Sequence, residues 1–432
     1  MTTKLDSTFL RRAFTNKKGE VWFEFYKQPC YICGKTGNCI IHQDGKTIAC
    51  TRVESDKVFS KKNSSYLHFI EDGREISYKK ENVNKIREKA ASFMLDYAYK
   101  NMLNSFDLTS QHLHHLKIER QLSEKTINAR MYRSYSTDTI SMAKSLLGPL
   151  YNQDKFKTAT IGFPGSYVND EGQWDMVKHN GILIPYRNHH NEIVGFQIRN
   201  TEVNNYVSAD PTYFDRLYVR VKQQPNLVQV AHYGEVIGEF KLELGQKAEF
   251  KYENKKTVME LKKGQRYIWL SSPKKNQGTP AATQDSPLPV HVALPTEELI
   301  ELNEQMANSD STLVIKRDAV WITEGALKAD IAVDHLFQAY EPQVGTTMLA
   351  VPGVNTWRSL IPILKNMEVK RVNIAFDMDV AKNEQVATHY IEMVNELGRL
   401  GYQVYIALWS SHHKGIDDLV VSRQLPQLIR KF

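Results

Sequence analysis

Acidic side chains follow three short apolar runs in the last third of the chain. Glu324 comes directly after one run, and Asp377 and Asp379 come directly after a second. Asp417 follows a third run and a short loop. Carboxylates that meet at one place suit a hard divalent cation such as Mg²⁺ or Mn²⁺, and a bound cation of this kind suits phosphate chemistry. The three acidic sites therefore predict a metal pocket.

The elements that position these acids follow an α/β pattern from about residue 297 onward. Short apolar runs separated by helical periodicity predict buried parallel strands. Open α/β sheets collect functional groups at the carboxyl ends of their strands, so we expect the acids to share one edge of a mostly parallel central sheet. An acid after a strand is also often a helix N-cap, and that alternative stays open for Asp417 and Asp418.

All cysteines of the chain lie close together near its start. They are Cys30, Cys33, Cys39 and Cys50. The first pair is followed by Gly34, as in a metal-binding knuckle, and four thiolates suit tetrahedral Zn²⁺. The alternatives are four unlinked thiols, or His42 or His68 in place of one cysteine. We predict a structural zinc site.

Composition and charge set broad limits on the protein. The 432 residues are enough for two or three domains, and the chain is 41% hydrophobic and 24% charged, as in ordinary globular proteins. No apolar stretch reaches the roughly 20 residues of a membrane span, and the N-terminus has no apolar signal core, so a cytoplasmic location without a membrane partner is expected. The net charge of +7 fits a nucleic-acid partner, but it equally fits plain lysine enrichment.

Changes in periodicity divide the chain into four regions. We expect a small β-rich zinc-ribbon module over residues 1–80 and a helical linker region over 81–150. An α+β subdomain over 151–310 would carry an inserted β segment at 201–263. The α/β region would follow at 311–432.

Three local predictions concern the connections between these regions. A helix is predicted near residues 83–104, with Phe93 and Tyr97 on its apolar face. Residues 273–296 contain five prolines and are predicted to be a loop. A helix is predicted to begin near Thr296.

The ordered acidic set resembles the toprim domain, which bacterial-type primases, topoisomerases and some nucleases share. In that family a glutamate follows the first strand and an Asp-x-Asp pair follows a later one, and Glu324, Asp377 and Asp379 match these positions. Asp417, in its Gly-x-Asp-Asp setting, resembles the later acidic motif of primases. The resemblance implies a toprim fold with a Mg²⁺ or Mn²⁺ site.

The resemblance extends upstream of the acids and is closest to bacterial-type primases. A predicted hairpin that carries Arg187 and Arg199 is similar to the start of the primase polymerase core, and the segment at Arg266 looks like the next motif, where the family usually has lysine. Lys328 stands where many primases have a third acid, and Asp330 is close but out of register. The order of zinc module and core also resembles primase-like proteins of phages, plasmids and other mobile elements.

The resemblance implies a DNA-directed RNA primase that makes short primers on single-stranded DNA from nucleoside triphosphates. Arg187, Arg199, Arg266 and Lys328 would contact the template or the triphosphate. No G-x-x-x-x-G-K-[ST] loop is present, so the replicative helicase would be a separate partner. A toprim nuclease is one alternative, and a non-catalytic nucleic-acid-binding replication factor, which Lys328 favours, is another. A topoisomerase is disfavoured, since we find no room for a strand-cleaving domain.

Overall fold

The computed structural model describes most of the chain as two compact units. These units are Met1–Lys85 and Ile86–Phe432. None of the helices in the described part of the chain has both the length and the hydropathy of a bilayer crossing. The residues described are 5–6, 10–15, 20–60, 64–70, 76–77, 88–151, 162–209, 217–253, 255–273, 275–283, 286–307, 313–340, 342–378 and 384–432.

The first unit consists of short strands, as its alternating pattern predicted. The strands are β1 (Leu5–Asp6), β2 (Arg11–Thr15), β3 (Val21–Glu24), β4 (Ile40–His42), β5 (Thr47–Cys50), β6 (Val58–Ser60), β7 (Ser65–Phe69) and β8 (Ile76–Ser77). Six of them form an antiparallel sheet in the order β2-β3-β4-β5-β7-β6, and β1 pairs in parallel with β8. Phe25, Ile41 and Ile48 are fully buried beside the cysteines and form its small core.

The second unit begins with helices that pack on a sheet. Its first elements are α1 (Ser92–Asn104), α2 (Ser110–His114), a π-helix (His115–Glu119), α3 (Glu124–Arg130), β9 (Arg133–Ser134), α4 (Thr139–Tyr151), β10 (Ser166–Val168), β11 (Trp174–Met176), β12 (Gly181–Arg187) and β13 (Ile193–Asn200). Tyr99 of α1 and Leu146 of α4 share a buried cluster with Phe196 of β13. The helices of the predicted linker region are therefore part of a core.

Helix α1 buries a different face from the predicted one. Phe93 is 62% exposed and Tyr97 is 45% exposed, whereas Leu95, Tyr99 and Met102 are buried. The helix carries two interleaved apolar stripes, and the stripe that meets β13 is the one that becomes core. The apolar face was therefore predicted wrongly.

The inserted segment forms two small sheets. Its strands and the strand after it are β14 (Tyr206–Ala209), β15 (Leu217–Gln223), β16 (Leu227–His232), β17 (Glu235–Lys241), β18 (Lys247–Tyr252), β19 (Lys255–Lys262) and β20 (Tyr267–Trp269). The sheets have the orders β14-β19-β18 and β15-β16-β17, with Val228, Leu242 and Leu261 buried in a common cluster. Strand β20 returns to the preceding subdomain, whose sheet has the order β20-β13-β12-β9.

The last part of the chain is a six-stranded α/β sheet in the order β21-β23-β22-β24-β25-β26. Its elements are β21 (His291–Ala293), α5 (Thr296–Ala307), β22 (Ala319–Glu324), α6 (Ala326–Ala339), β23 (Met348–Val351), α7 (Leu360–Asn366), β24 (Arg371–Ile374), α8 (Glu384–Arg399), β25 (Gln403–Leu408), α9 (Ile416–Val421) and β26 (Gln427–Arg430). The four central strands are parallel, as predicted, and the two edge strands are antiparallel.

Both faces of this sheet are covered by helices. Along β22, Val320 and Ile322 face a cluster that contains residues of α5, α7 and α8, while Trp321 faces a cluster with residues of α6 and α9. A strand that is buried on both sides has a continuous apolar sequence. This burial explains why the apolar runs before the acids are unbroken.

The predicted loop at 273–296 contains an edge strand, so the prediction is wrong at its end. Strand β21 pairs antiparallel with β23, and Val290, Val292 and Leu294 enter the core of the sheet. The flanking prolines are tolerated because an edge strand leaves one side of its backbone unpaired. The sheet therefore starts before the boundary predicted at residue 311.

Candidate active site and cysteine cluster

The predicted acids meet at the carboxyl edge of the parallel strands. Glu324 ends β22, and Gly325 then turns the chain into α6 with a φ of +84°, a left-handed conformation that glycine adopts without strain. Asp377 follows β24, and Asp417 lies in the first turn of α9. Asp379, the second acid of the predicted pair, lies outside the described residues.

These side chains line one cavity of about 630 Å³. Acidic and basic groups face each other across it. Its charged lining residues are Arg120, Arg266, Glu324, Lys328, Asp377, Lys414, Asp417 and Asp418. Strands of the upstream sheet contribute further lining through Gln197, Tyr267 and Trp269.

Asp417 presents a free carboxylate oxygen beside Asp377. Its side chain is buried, with 3% of the residue exposed, and Arg120 Nη2 donates to its Oδ2 at 3.0 Å. Its Oδ1 has no hydrogen-bond partner among the described residues. A β-carbon at Gly415 would collide with this oxygen and would lie 3.3 Å from Asp377 Oδ1, so both oxygens point toward Gly415. Burial raises the pKa of Asp417, although Arg120 opposes the shift.

The helix-cap role that was considered for Asp417 is filled by its neighbour, Asp418. Asp418 Oδ2 accepts from the backbone N–H of Gly415 at 3.4 Å, which caps α9. Asp417 is thereby left for the cavity.

Lys328 makes an ion pair with Asp377 inside the cavity. Its Nζ contacts Asp377 Oδ1, and Lys414 Nζ lies 3.9 Å from Asp377 Oδ2. Burial alone would lower the pKa of Lys328, but the charges of Asp377, Asp417 and Glu324 raise it above its ordinary value. The ammonium is therefore fixed in its charged form among the acids.

The predicted arginines occupy three different environments. Arg266 lines the cavity. Arg199 is half-buried opposite Tyr267 on β20, and burial lowers its pKa. Arg187 is 3% exposed, and its Nη1 donates to the carbonyl oxygen of Asn191 at 3.2 Å. Arg187 thus has an internal role in this structure, which corrects its assignment to the template or the triphosphate.

Arg120 is a cavity residue that no sequence motif predicted. It follows the π-helix and reaches Asp417, which is 297 positions away in the chain. No local pattern marks such a contact. Lys414 belongs to the third acidic motif, but its side chain had no predicted role.

Asp330 lies on the other side of helix α6 in a closed charge network. Arg130 Nη1 is 2.8 Å and His291 Nε2 is 3.0 Å from its Oδ1, and the Tyr132 hydroxyl donates to its Oδ2. All of these side chains are buried. Asp330 is therefore a structural acid.

The cavity fits a divalent cation by the chemistry of its donors. Carboxylate oxygens are the ligands that Mg²⁺ and Mn²⁺ prefer, and the free Oδ1 of Asp417 is a buried acceptor beside a second carboxylate. Glu324 and Asp377 are further carboxylates in the lining of the same cavity.

The four cysteines of the first unit converge as predicted. Their sulfur atoms all lie within 4.8 Å of one another, and Cys39 Sγ is 3.7 Å from both Cys33 Sγ and Cys50 Sγ. A tetrahedral Zn²⁺ with bonds of about 2.3 Å holds its sulfurs about 3.8 Å apart, so the geometry fits zinc. A hydrogen bond from Cys30 lowers the pKa of Cys39 below its ordinary value.

The two histidines considered as substitute ligands have other partners. His42 Nδ1 is 2.9 Å from Asp44 Oδ2, and His68 Nε2 is 3.0 Å from the carbonyl oxygen of Val53. The described metal-ligand group consists of cysteines alone.

Comparison with known proteins gives one partial family match and several structural likenesses. A family model described as a domain of unknown function (DUF3854) matches residues 312–425. A search of curated proteins finds no match.

The solved structures most similar to the chain include three primase structures. The zinc-binding and RNA polymerase domains of the Aquifex aeolicus primase are 10% identical, with 96% of this chain and 78% of that chain covered and a TM-score of 0.41. The RNA polymerase domain of Mycobacterium tuberculosis primase DnaG is 13% identical, with 78% and 83% covered and a TM-score of 0.42. The E. coli primase catalytic core is 9% identical, with 77% and 76% covered and a TM-score of 0.41. Similarity at this level does not assign a function to the chain.

Proposed function

We propose that the protein is a primase-type nucleotidyltransferase that makes short RNA primers on single-stranded DNA. The observation that carries the proposal is the single cavity in which Glu324, Asp377 and Asp417 face Arg120 and Arg266. Acids that hold a divalent cation, opposite fixed positive charges, suit a reaction at a nucleoside triphosphate.

The reaction would join a 3′ hydroxyl to the α-phosphorus of the incoming triphosphate and release pyrophosphate. Glu324, Asp377 and Asp417, with Asp379, would hold Mg²⁺ or Mn²⁺. A bound cation would reduce the charge cost of the attack. Arg266 would grip phosphate oxygens through its guanidinium fork.

Arg120 and Lys328 would act mainly on the acids. Arg120 holds Asp417 Oδ2 and leaves Oδ1 without a hydrogen-bond partner among the described residues. Lys328 neutralises one oxygen of Asp377 and supplies positive charge near the triphosphate. A fixed ammonium needs no reorganisation as negative charge develops in the transition state.

The cysteine cluster would hold a structural Zn²⁺, and the first unit would contact the template. The donor set and its spacing support the zinc assignment. The sequence resemblance to primase-like proteins of phages and plasmids is the ground for assigning the primers to a mobile element and for expecting a separate helicase.

Primer synthesis is the direct test. The protein is incubated with single-stranded templates, labelled nucleoside triphosphates and Mg²⁺ or Mn²⁺. We expect short RNA products, and we expect Asp377→Ala to lower their rate about 100-fold or more, because several kcal/mol of charge stabilisation are lost. Asp318→Ala is the matched control, since Asp318 pairs with Lys370 on the surface.

Other outcomes would replace the proposal. Template cleavage without synthesis, lost in Asp377→Ala, would identify a nuclease in which the same acids activate water. Tight template binding without any product would identify a non-catalytic binding factor.

A further inference from the structure

A second cavity, of about 470 Å³, lies where the inserted segment leaves and rejoins the preceding subdomain. We call it the insertion pocket. The residues before β14, those before β20 and the loop before β12 form its walls. Its lining consists of His179, Asn180, Asn200, Glu202, Asn204, Tyr206, Gly264, Gln265 and Ile268.

The lining is rich in side-chain amides, and the described residues that form it include no lysine or arginine. Asn204 and Gln265 are exposed in this lining. Paired amide donors and acceptors match the edges of nucleobases, and a carboxylate such as Glu202 accepts from an exocyclic amino group. The same carboxylate would repel a phosphate. The chemistry therefore fits a base and not a phosphate.

Tyr206 supplies a ring against which a base could stack. The residue is 49% exposed at the start of β14 and lines the pocket. Aromatic rings bind unpaired bases of single strands through their faces. Stacking on Tyr206 and hydrogen bonds to the amides would hold a base from two directions.

Close contacts hold together the segments that line the insertion pocket. A β-carbon at Gly264 would collide with the carbonyl oxygen of Asn204, so only glycine permits this close approach. Asn200 Nδ2 donates to the carbonyl oxygen of Gln265 at 2.7 Å. Buried His112 anchors the start of the insertion through a 2.8 Å hydrogen bond between its Nε2 and Thr201 Oγ1.

The insertion pocket adjoins the candidate active site. Gln265 and Ile268 line both cavities, and Arg266 and Tyr267 between them line the active-site cavity. A single-stranded DNA whose phosphate backbone passes Arg266 could therefore place one base in the insertion pocket.

We propose that the insertion pocket binds one nucleobase of the single-stranded template and so gives the enzyme a sequence preference. This inference rests on the proposed function, because it takes the ligand to be the template of primer synthesis. A base could also come from a free nucleotide, and the experiment below separates the two sources.

The first measurement is the affinity of the full chain for labelled single-stranded DNA of each base composition. We expect Tyr206→Ala to weaken binding about tenfold, the effect of losing one stacking contact. Asn204→Ala and Glu202→Gln should change the ratio of affinities between oligomers and leave the salt dependence unchanged, since no phosphate contact is lost. Tyr218→Ala is the matched control, because Tyr218 is 60% exposed in the same insertion but does not line the pocket.

Unchanged DNA affinity in Tyr206→Ala, with normal binding by the wild type, would overturn the proposal. Tyr206-dependent binding of a nucleoside monophosphate that does not compete with single-stranded DNA would also overturn it, because the base would then belong to a free nucleotide.

A second measurement locates the base along the template. Templates with a single 5-iodo-deoxyuridine at successive positions are irradiated, and the crosslinked residue is identified by mass spectrometry. We expect crosslinks to Tyr206 from one short register relative to the primer start, and crosslinks spread over all registers would overturn the proposal. If the wild type binds DNA through Tyr206 but makes no primer, the proposed function fails while the base-binding pocket stands.

Discussion

The cysteine cluster and the acidic cavity both bring together side chains of types that can bind metals, but they differ in how closely those side chains converge and in what surrounds them. Three of the four cysteines are buried, and the four sulfurs lie within 4.8 Å of one another. The carboxylates instead line a cavity of about 630 Å³ that they share with four cationic side chains. A metal site closed by protein ligands is typically structural, whereas a reactive site keeps an open position.

This difference assigns separate tasks to the two regions. Metal binding should decide whether the first unit folds. The acidic cavity stands on a sheet with a large core of its own, so its fold should not depend on the ion. Variants that separate stability from activity can test this division.

The largest expected effect is loss of the first unit when zinc is removed. Chelation or Cys39→Ser should abolish hydrogen-exchange protection over residues 20–60, because about 10 kcal/mol or more of zinc binding energy is folding energy in small metal domains. Exchange measured by mass spectrometry, with zinc content determined in parallel, checks this. Strands β22 and β24 should keep their protection.

His42→Gln is the matched control for zinc removal. His42 pairs with Asp44 and lies outside the cysteine cluster, so the variant should retain zinc. Full protection of residues 20–60 in the zinc-free protein would contradict a structural role for the metal.

The second-largest effect is expected on the unfolding free energy when Asp330 is replaced. Asp330→Asn removes the carboxylate that lies 2.8 Å from Nη1 of buried Arg130, and Asp334, whose Oδ2 is 3.8 Å from Nη2, is the carboxylate that remains. Because the closer buried charge pair is broken, we expect a loss of about 3 kcal/mol of unfolding free energy at neutral pH. Urea unfolding checks the value. Asp318→Asn is the control, because the Asp318–Lys370 pair is exposed and screened by solvent, so its loss should leave the unfolding free energy nearly unchanged.

The contribution of Asp330 should disappear in acid. Burial alone would raise its pKa, but Arg130, His291 and the Tyr132 hydroxyl lower it below the ordinary value. A lowered carboxyl pKa stabilises the folded state above the unfolded-state pKa of about 3.9, and that stability is lost as the pH falls through the folded-state pKa. The difference in unfolding free energy between wild type and Asp330→Asn should therefore become smaller below about pH 4. A difference in unfolding free energy that does not change with pH would contradict a stabilising role for the charge network around Asp330.

The parts of the molecule that the sequence predicted correctly depend on local patterns. Buried parallel strands produce unbroken apolar runs, so β22, β24 and β25 could be recognised, and their order brought Glu324 and Asp377 to one edge. The cysteine spacing likewise predicted a convergence that the structure contains.

The parts that could not be predicted depend on long-range contacts. Arg120 reaches Asp417 from 297 positions away, and Arg187 is internal because His291 and Asn191 enclose it. Helix α1 offered two apolar stripes, and only the facing sheet decides between them. A periodicity cannot show which partner an element will meet.

The next prediction concerns competition between Lys328 and a metal ion for the carboxylate of Asp377. Lys328→Met removes an ammonium that contacts this carboxylate, so Mn²⁺ affinity in the absence of nucleotide should rise about tenfold or more. Mn²⁺ titration followed by electron paramagnetic resonance measures it. Lys365→Met, an exposed lysine of α7, is the control. Unchanged Mn²⁺ affinity would mean that the ion binds without Asp377.

The smallest effect is expected at Arg266. Replacing this residue by lysine keeps its positive charge but changes the shape of the charged group. Arg266→Lys replaces a planar fork by a point charge, so KM for the nucleoside triphosphate should rise about threefold to tenfold with little change in kcat. Steady-state primer synthesis measures it, with Arg430→Lys on β26 as the control. A rise in the template dissociation constant instead, with KM for the triphosphate unchanged, would move Arg266 from the triphosphate to the template. The cavity would then have its acids on the nucleotide side and Arg266 on the DNA side.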